Sequence, residues 1–502
     1  MKRIAIVGGG IAGVSAAYEL ALRQRAGEPI EFVLFEAASR LGGIVETVRS
    51  DDDFVIECGP DSWVTEKPWA RDLAIELGLE SELVLSNDSR RKTYVAEGHT
   101  LIAMPEGMRM MVPTQWASVL NSPLISWQAK LAYLREPKFA GQLKAWALDG
   151  SNSAGDESMH DFVVRHFGDE VADTIAAPLM AGVFGGDIAT LSARAVLPAL
   201  VALEREHGSL ILGLQQRMGA GKSSAPIFTS LKSGLEALIT GMESRIPERS
   251  LQRGFAVESI ERSGGGWQVH ATSVAGGPHP AGESFDGVLV ATPAATAAKL
   301  FEPLDSRIGE LLPQQSSSAI VVALGFAADQ AQAMRIPRGF GFLVPQRNPP
   351  AGEVLLGEEG FGDEAGDVAA RRALLACTFL DQKFPHAAPE GAVLLRAFFG
   401  GPAVPSLLQQ DDATLIYLAR AELGRFLGKL PEPSIALARR WPNSLPLYAV
   451  GHMERMAELD VRVARLPNLR LIGNAYRGVG LPDLVHSGRT AARELAASLV
   501  AA

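Results

Sequence analysis

Ile4-Ala5-Ile6-Val7-Gly8-Gly9-Gly10-Ile11-Ala12-Gly13 is the stretch on which the fold turns. Four apolar residues in a row suit a short strand buried on both faces, as in a parallel sheet. The run stops at three glycines, and Ile11 to Arg25, rich in Ala and Leu, then reads as a helix. Ile30 to Phe35 is a second strand, closing at Glu36. Gly8, Gly10 and Gly13 therefore form G-x-G-x-x-G between a strand and a helix. The first permits a tight turn, the second lets backbone N–H groups approach a pyrophosphate at the positive helix end, and the third permits close helix-to-strand packing. Glu36, 23 residues after Gly13, ends the next strand, where a carboxylate accepts hydrogen bonds from ribose hydroxyls. A dinucleotide-binding unit follows from these positions together.

Outward from it, Lys67 to Leu79 reads as a helix ending at Gly78, and Lys92 to Pro105 as a hairpin around Gly98. Residues 115 to 225 change character. Trp and Met rise, alternation fades, and helices can be drawn through Trp127 to Trp146, Met159 to Ala177 and Ser192 to Glu206, making a helical insertion. Ser250 to Val274 returns to alternating segments around a Ser263-Gly-Gly-Gly turn, and Phe285 to Thr292 is another buried strand. A β-rich stretch runs from Ser317 to Gly401, with an acidic glycine-rich loop near Gly357 to Asp367. Asn468 to Ala502 gives a strand, a glycine-rich turn and a terminal helix. No internal repeat is evident. The two glycine-rich turns lie at opposite ends of the chain, so the domain they build is discontinuous.

At 502 residues the chain has about three domains' worth of material. Hydrophobic residues at 47% and charged residues at 21% are those of a folded protein. A formal charge of -10 argues against broad binding to nucleic acid or acidic lipid. Cys58 and Cys377 form no C-x-x-C, and the nine histidines show no H-x-x-x-H, so no disulfide framework and no metal site is expected. That cysteine usage and the lack of a secretory signal fit the cytoplasm. The uncharged run Leu311 to Ala328 is broken by Pro313 and Gln314 to Ser318, so no transmembrane helix is expected. Gly219-Ala220-Gly221-Lys222-Ser223 echoes a P-loop, but the first required glycine is Gln216. No G-x-S-x-G elbow supports a serine hydrolase.

Arg40-Leu41-Gly42-Gly43 follows Glu36 and Ala37 to give E-A-x-x-R-x-G-G, a pattern that resembles the flavoprotein amine oxidase superfamily. The resemblance implies FAD, with Arg40 pairing the pyrophosphate and the glycine pair letting the backbone pass the isoalloxazine. Gly473-Asn474 and Gly478-Val479-Gly480-Leu481-Pro482-Asp483 also resemble this superfamily, whose final turn returns to the flavin. No cysteine follows Cys377 for a C-terminal thioether, so the flavin is expected to be non-covalent. Longer stretches are similar to one branch, the oxygen-dependent protoporphyrinogen and coproporphyrinogen oxidases. They include Glu57 to Trp63, Met104 to Gly107, His166 to Glu170, Gly182 to Ser192, Arg338 to Pro345, Lys383 to Pro385, Arg396 to Gly401 and Gly478 to Asp483, in order along nearly the entire chain.

The resemblance implies an amine-oxidase-like α/β fold: a discontinuous FAD-binding Rossmann-like domain, a mixed-sheet substrate domain and a helical insertion. The corresponding division is FAD-binding at 1–88, 229–300 and 434–502, hairpin and insertion at 89–228, and substrate domain at 301–433. It further implies cofactor contacts from Ile11, Ala12, Gly59, Pro60, Asp61, Ser62, Val257, Trp441, Gly473, Val479, Gly480 and Leu481. The substrate it implies is a tetrapyrrole, expected to be oxidised from porphyrinogen to porphyrin in heme biosynthesis with oxygen as acceptor, over three two-electron rounds. Phe340, Gly341, Leu343 and Phe398 match the pocket wall. Thr93 stands where eukaryotic protoporphyrinogen oxidases carry a propionate-binding arginine, and Arg91 and Lys92 beside it lean the choice towards coproporphyrinogen III over protoporphyrinogen IX. The family's helical domain also leaves peripheral contact with a membrane surface open. No catalytic residue stands out, since hydride transfer to a flavin needs position more than a base. An amine oxidase or a redox-inert flavin-binding protein would share the dinucleotide fingerprint.

Overall fold

Lys2–Val7 becomes the central strand of a five-stranded, all-parallel sheet ordered Leu251–Arg253, Ile30–Glu36, Lys2–Val7, Gly287–Val290, Leu469–Leu471. The computed structural model describes residues 1–149, 155–219, 226–276, 282–346, 373–401 and 403–501. Alternation along the central strand assigns its two faces. Ile4 and Ile6 pack against the N-terminal helix Ile11–Arg25 and the C-terminal helix Leu481–Ala501. Ala5 and Val7 pack on the opposite side, beneath the hairpin Phe255–Ser263/Gly266–Ser273 and the helices Ala294–Phe301 and His452–Val463. Burial on both sides is why this strand reads as an unbroken apolar run. The terminal helices meet at Gly488, whose Cβ would lie 2.2 Å from the Ala12 carbonyl oxygen.

A second, mixed sheet of seven strands runs Ile435–Pro446, Ser316–Phe326, Val393–Phe399, Leu374–Phe379, Gly341–Leu343, Thr93–Glu97, Thr100–Ala103. The hairpin around Gly98 forms one edge. Ile435–Pro446, which the sequence division groups with the last FAD-binding stretch, pairs along Ser316–Phe326 at the other. One face of this sheet packs on the helix Asp412–Leu427 through Ile320, Val322, Phe342, Cys377 and Ala397. The other turns towards the parallel sheet and the helical insertion. The acidic loop expected near 357–367 and most of the P-loop-like segment 219–223 lie outside the described residues.

The insertion is helical, but each of the three long helices drawn from the sequence is divided. Trp127–Arg135 and Ala140–Leu148 are separated by a turn at Glu136–Phe139 that carries Pro137. Met159–Phe167 stops at Gly168, which has φ +84°. Ala193–Val196 yields to Pro198–His207 at Leu197. Proline lacks an N–H and clashes with the preceding turn, and glycine takes the left-handed conformation that ends a helix. These divisions let the pieces fold back on one core of Tyr133, Phe162, Phe167, Ile175 and Met180.

Candidate cofactor and substrate site

In a parallel sheet the carboxyl ends of all strands share one edge, and this edge collects Gly8, Glu36, Thr292 and Gly473. The Gly8 N–H donates to the Phe35 carbonyl at 2.8 Å. Gly13 sits so close to it that a Cβ there would lie 1.9 Å from the Gly8 carbonyl oxygen. Gly10 precedes the N-terminal helix in extended conformation with no side-chain cap, so the positive helix end is open, and a Cβ on Gly10 would meet nothing within 4 Å. Ile11 and Ala12, the first helical residues, are buried. Glu36 ties the next strand to this turn, accepting from the N–H groups of Gly9 at 2.6 Å and Ala38 at 2.7 Å, while Ala37 between them is exposed. The Gly42 N–H donates to the Gly9 carbonyl at 2.8 Å, and Gly43 lies against Gly10. The three predicted motifs are thus one continuous concave surface.

Arg40 braces that surface. Its guanidinium donates to the Leu41 and Val45 carbonyls, both at 3.1 Å, and to the Gly43 carbonyl. Gly59 packs directly on this turn, where a Cβ would lie 1.9 Å from the Ile44 carbonyl oxygen. Pro60, Asp61 and Ser62 continue towards the mixed sheet, and the Trp441 indole N–H donates to the Cys58 carbonyl at 2.7 Å. Val257 lies in the hairpin over the parallel sheet, beside a bulge, with the Gly254 N–H donating to the Ala38 carbonyl at 3.0 Å. At the far end of the chain Gly473 and Gly478 have φ +124° and +76°. Gly480 and Leu481 lead into the C-terminal helix, while Val479 packs on the core of the insertion. Lys67 Nζ pairs with Asp483 at 2.6 Å beneath this turn.

The residues present fit a flavin dinucleotide. Open space surrounds Gly10 and Gly473, and the Thr292 hydroxyl, at the same sheet edge, is buried without a protein partner. Gly8, Gly10, Ile11 and Gly13 would hold the pyrophosphate, Glu36 the ribose, and the 42–43, 59–62 and 473–481 segments the ring system.

The substrate residues gather on the face of the mixed sheet opposite Phe342. Thr93, Gly341 and Thr378 are aligned across three strands, and Leu343 follows on Gly341's side. Phe398 pairs with Val321 and Ala376. Phe340 is buried at the start of its strand. The helix Ala177–Phe184 lies over this face, with Gly182 near Leu343 and Ala376. Arg91 and Lys92 stand outside the aligned set. Arg91 pairs with Asp88 at 3.2 Å with its side chain 39% exposed, and Lys92 contributes its carbonyl to the Phe340 N–H.

Sequence reasoning assigned no role to the charges under Asp61. Asp61 is bound by Lys383 Nζ at 2.8 Å, by Arg396 at 3.0 Å and by the Ser62 hydroxyl at 2.6 Å. Burial alone would raise its pKa, but the two cations reverse that and hold the carboxyl well below the usual carboxylate range. The signal was present, since Lys383 and Arg396 both stand in stretches that resemble the porphyrinogen oxidases. Among the described residues no cluster of three or more metal-ligating side chains occurs.

A family model for flavin-containing amine oxidoreductases matches residues 11–496. The chain belongs to this family. It is 32% identical to the coproporphyrinogen III oxidase of Bacillus subtilis (strain 168), over 98% of this chain and 97% of that protein. It is 28% identical to human protoporphyrinogen oxidase, over 98% of each. The crystal structure of an Exiguobacterium sp. 255-15 protein, described as a protoporphyrinogen oxidase, superposes with a TM-score of 0.79 at 30% identity over 99% of both chains. Membership of a family of flavin-containing amine oxidoreductases implies a flavin cofactor, and the expected α/β fold with parallel and mixed sheets is the family's.

Proposed function

We infer that this family member oxidises a porphyrinogen to a porphyrin in heme biosynthesis. Full-length likeness to enzymes named for those substrates carries the reading. The broad face of Leu343, Phe398 and Thr378 beneath the Ala177–Phe184 helix suits a flat tetrapyrrole. A bound flavin would supply a two-electron acceptor for hydride from a methylene C–H bond, the charge being balanced by loss of a pyrrole N–H proton from the substrate. The protein's part is to hold the donor carbon over the cofactor and to exclude water. The cofactor is FAD, held without a covalent bond by the surface from Gly8 to Leu481 described above. Oxygen is the final acceptor, and three rounds give three molecules of hydrogen peroxide. The division into discontinuous FAD-binding, substrate and helical parts belongs to the same proposal.

Coproporphyrinogen III, with four propionates, is the favoured substrate over protoporphyrinogen IX, with two. Support comes from the B. subtilis relative and from the basic run Arg90 to Lys92 at the entry to the Thr93 strand. Comparison of kcat/KM for the two, by porphyrin fluorescence and peroxide release, tests it. Preference for protoporphyrinogen IX would reverse the choice, and turnover of amines alone would overturn the function.

No helix among the described residues is long and apolar enough to cross a membrane. The proposed location is the cytoplasm, with peripheral contact through the insertion. Trp127, Leu131 and Leu134 form an exposed stripe at helical spacing, with Trp146 and Leu148 exposed on the next helix. Co-sedimentation with anionic vesicles that disappears on Trp127→Ser would support the contact, and no sedimentation would remove it.

A further inference from the structure

Two cations and one carboxylate are buried together where the mixed sheet meets the Gly59–Ser62 segment. Arg396 is 0% exposed. It gives one nitrogen to Asp61 and another to the Gly59 carbonyl, and its Nε has no partner. The Lys383 ammonium reaches Asp61 from the other side, 4.4 Å over the Phe228 ring, and the Arg396 guanidinium lies 4.9 Å over Phe398. Holding Asp61 in place needs one such cation, and burying a second without its own anion is costly. Below pH 7 the neighbouring acids do not neutralise it. Glu46 belongs to Arg439 at 3.1 Å. Glu57, accepting from the Leu235 N–H and the Thr47 hydroxyl, is pushed up by burial to about 7 and so is largely protonated below that pH.

The cluster is also well placed. Asp61 is two residues from Gly59, which packs on Ile44, next to the glycine pair that lies against Gly10. On its other side Arg396 precedes Phe398 by two positions and so shares its face of the sheet. The cluster therefore stands between the flavin cradle and the substrate face.

We propose that Lys383 and Arg396, sharing the single carboxylate of Asp61, place one excess positive charge beside the bound flavin and make it easier to reduce. The inference rests on flavin binding at this cradle and is independent of which donor is oxidised. Accepting hydride adds one negative charge to the flavin, and a fixed positive charge favours that state. Asp61 stays ionised throughout, so the trio acts by position and field and exchanges no proton. One unit charge at roughly 10 Å in an effective dielectric of about 20 changes such an equilibrium about tenfold. For a two-electron couple that is about 30 mV.

The test is the midpoint potential of the flavin-loaded protein at about pH 6, where Glu57 is largely protonated, measured by equilibration with redox dyes in the absence of any porphyrinogen. Lys383→Met should make reduction about tenfold less favourable, a shift of about 30 mV to more negative potential. Lys383→Gln, which retains a hydrogen bond to Asp61, should do the same and guards against a variant that fails to fold. Asp61→Asn should shift the potential in the opposite direction, and Lys383→Arg should leave it in place. A purely structural cluster would move Lys383→Met and Asp61→Asn in the same direction, or neither, and either outcome overturns the proposal. Variants that show these shifts, together with a wild type that oxidises no porphyrinogen, would remove the substrate reading and leave this one standing.

Discussion

Gly13 and Gly10 belong to one motif, yet their surroundings predict different responses to the same methyl group. At Gly13 the methyl would strike the Gly8 carbonyl oxygen at 1.9 Å, so helix and strand must separate. Gly13→Ala should lose about 1–3 kcal/mol of stability and most of its flavin, read by thermal melting and by absorbance. At Gly10 the methyl meets open space. Gly10→Ala should leave the melting of the apoprotein unchanged and weaken flavin binding alone, because the methyl enters the proposed path of the phosphates. A second residue-scale expectation concerns Glu57, whose pKa burial raises from 4.5 to about 7. Between those values Glu57 binds a proton in the folded state and not in the unfolded one, so its contribution to stability is greatest below pH 4.5 and falls as pH rises to 7. The amount is about 3 kcal/mol, and denaturant titrations of Glu57→Gln should show that slope removed. The glycines were legible because G-x-G-x-x-G constrains backbone whatever surrounds it. Arg396 was not, because a charged residue in an alternating strand reads as solvent-facing, and only the packing of the Gly59 segment against it buries it.

Between helices of the insertion, His166 is enclosed by two carboxylates from separate elements. Its Nδ1 lies 3.0 Å from Glu136 and its Nε2 3.1 Å from Glu204, with all three side chains buried. Glu136 also accepts from the Leu210 N–H and the Ser209 hydroxyl, while Arg165 reaches both Glu204 and Glu157. Two nitrogens facing two carboxylates call for the imidazolium. Burial alone would lower the His166 pKa, and the carboxylates reverse it to a raised value. This stabilisation is complete below about pH 6.5, the unfolded value, and is lost as pH rises through the folded one. His166→Phe should cost about 3–5 kcal/mol, since it leaves the buried Glu136 without its cation and Glu204 with Arg165 alone. It should also abolish the alkaline loss of stability expected of wild type, read by thermal melts. The sequence marked His166 to Glu170 as a family stretch, but its partners Glu136 and Glu204 come from segments whose helices were drawn without their breaks. The breaks at Pro137 and at Leu197–Pro198 are what bring these acids to the ring.

Across the whole molecule, the flavin edge draws on residues from Gly8 to Leu481, and the N-terminal and C-terminal helices touch through Gly488. Removing the cofactor should therefore loosen both ends of the chain together. At flavin concentrations a hundredfold above Kd the holoprotein should gain about 2.7 kcal/mol, and hydrogen exchange should show protection in 8–13 and 473–481 alike. Protection at one end only would mean that the two turns hold different ligands. The parallel sheet was predictable from its buried runs, whereas the order of the mixed sheet was not. The parallel pairing of Thr93–Glu97 with Gly341–Leu343 joins distant segments that carry no shared local pattern. The same topology has a consequence for synthesis. The central strand leaves the ribosome well before its neighbour Gly287–Val290, and the edge strand Leu469–Leu471 follows after both. At roughly 5–20 residues per second the interval from first to last strand is on the order of a minute. Throughout it the nascent chain has half of its cofactor edge and nothing to close it. On the proposed site, a product terminated before the last turn should bind no flavin, so only chains that have reached Leu481 would become oxidases.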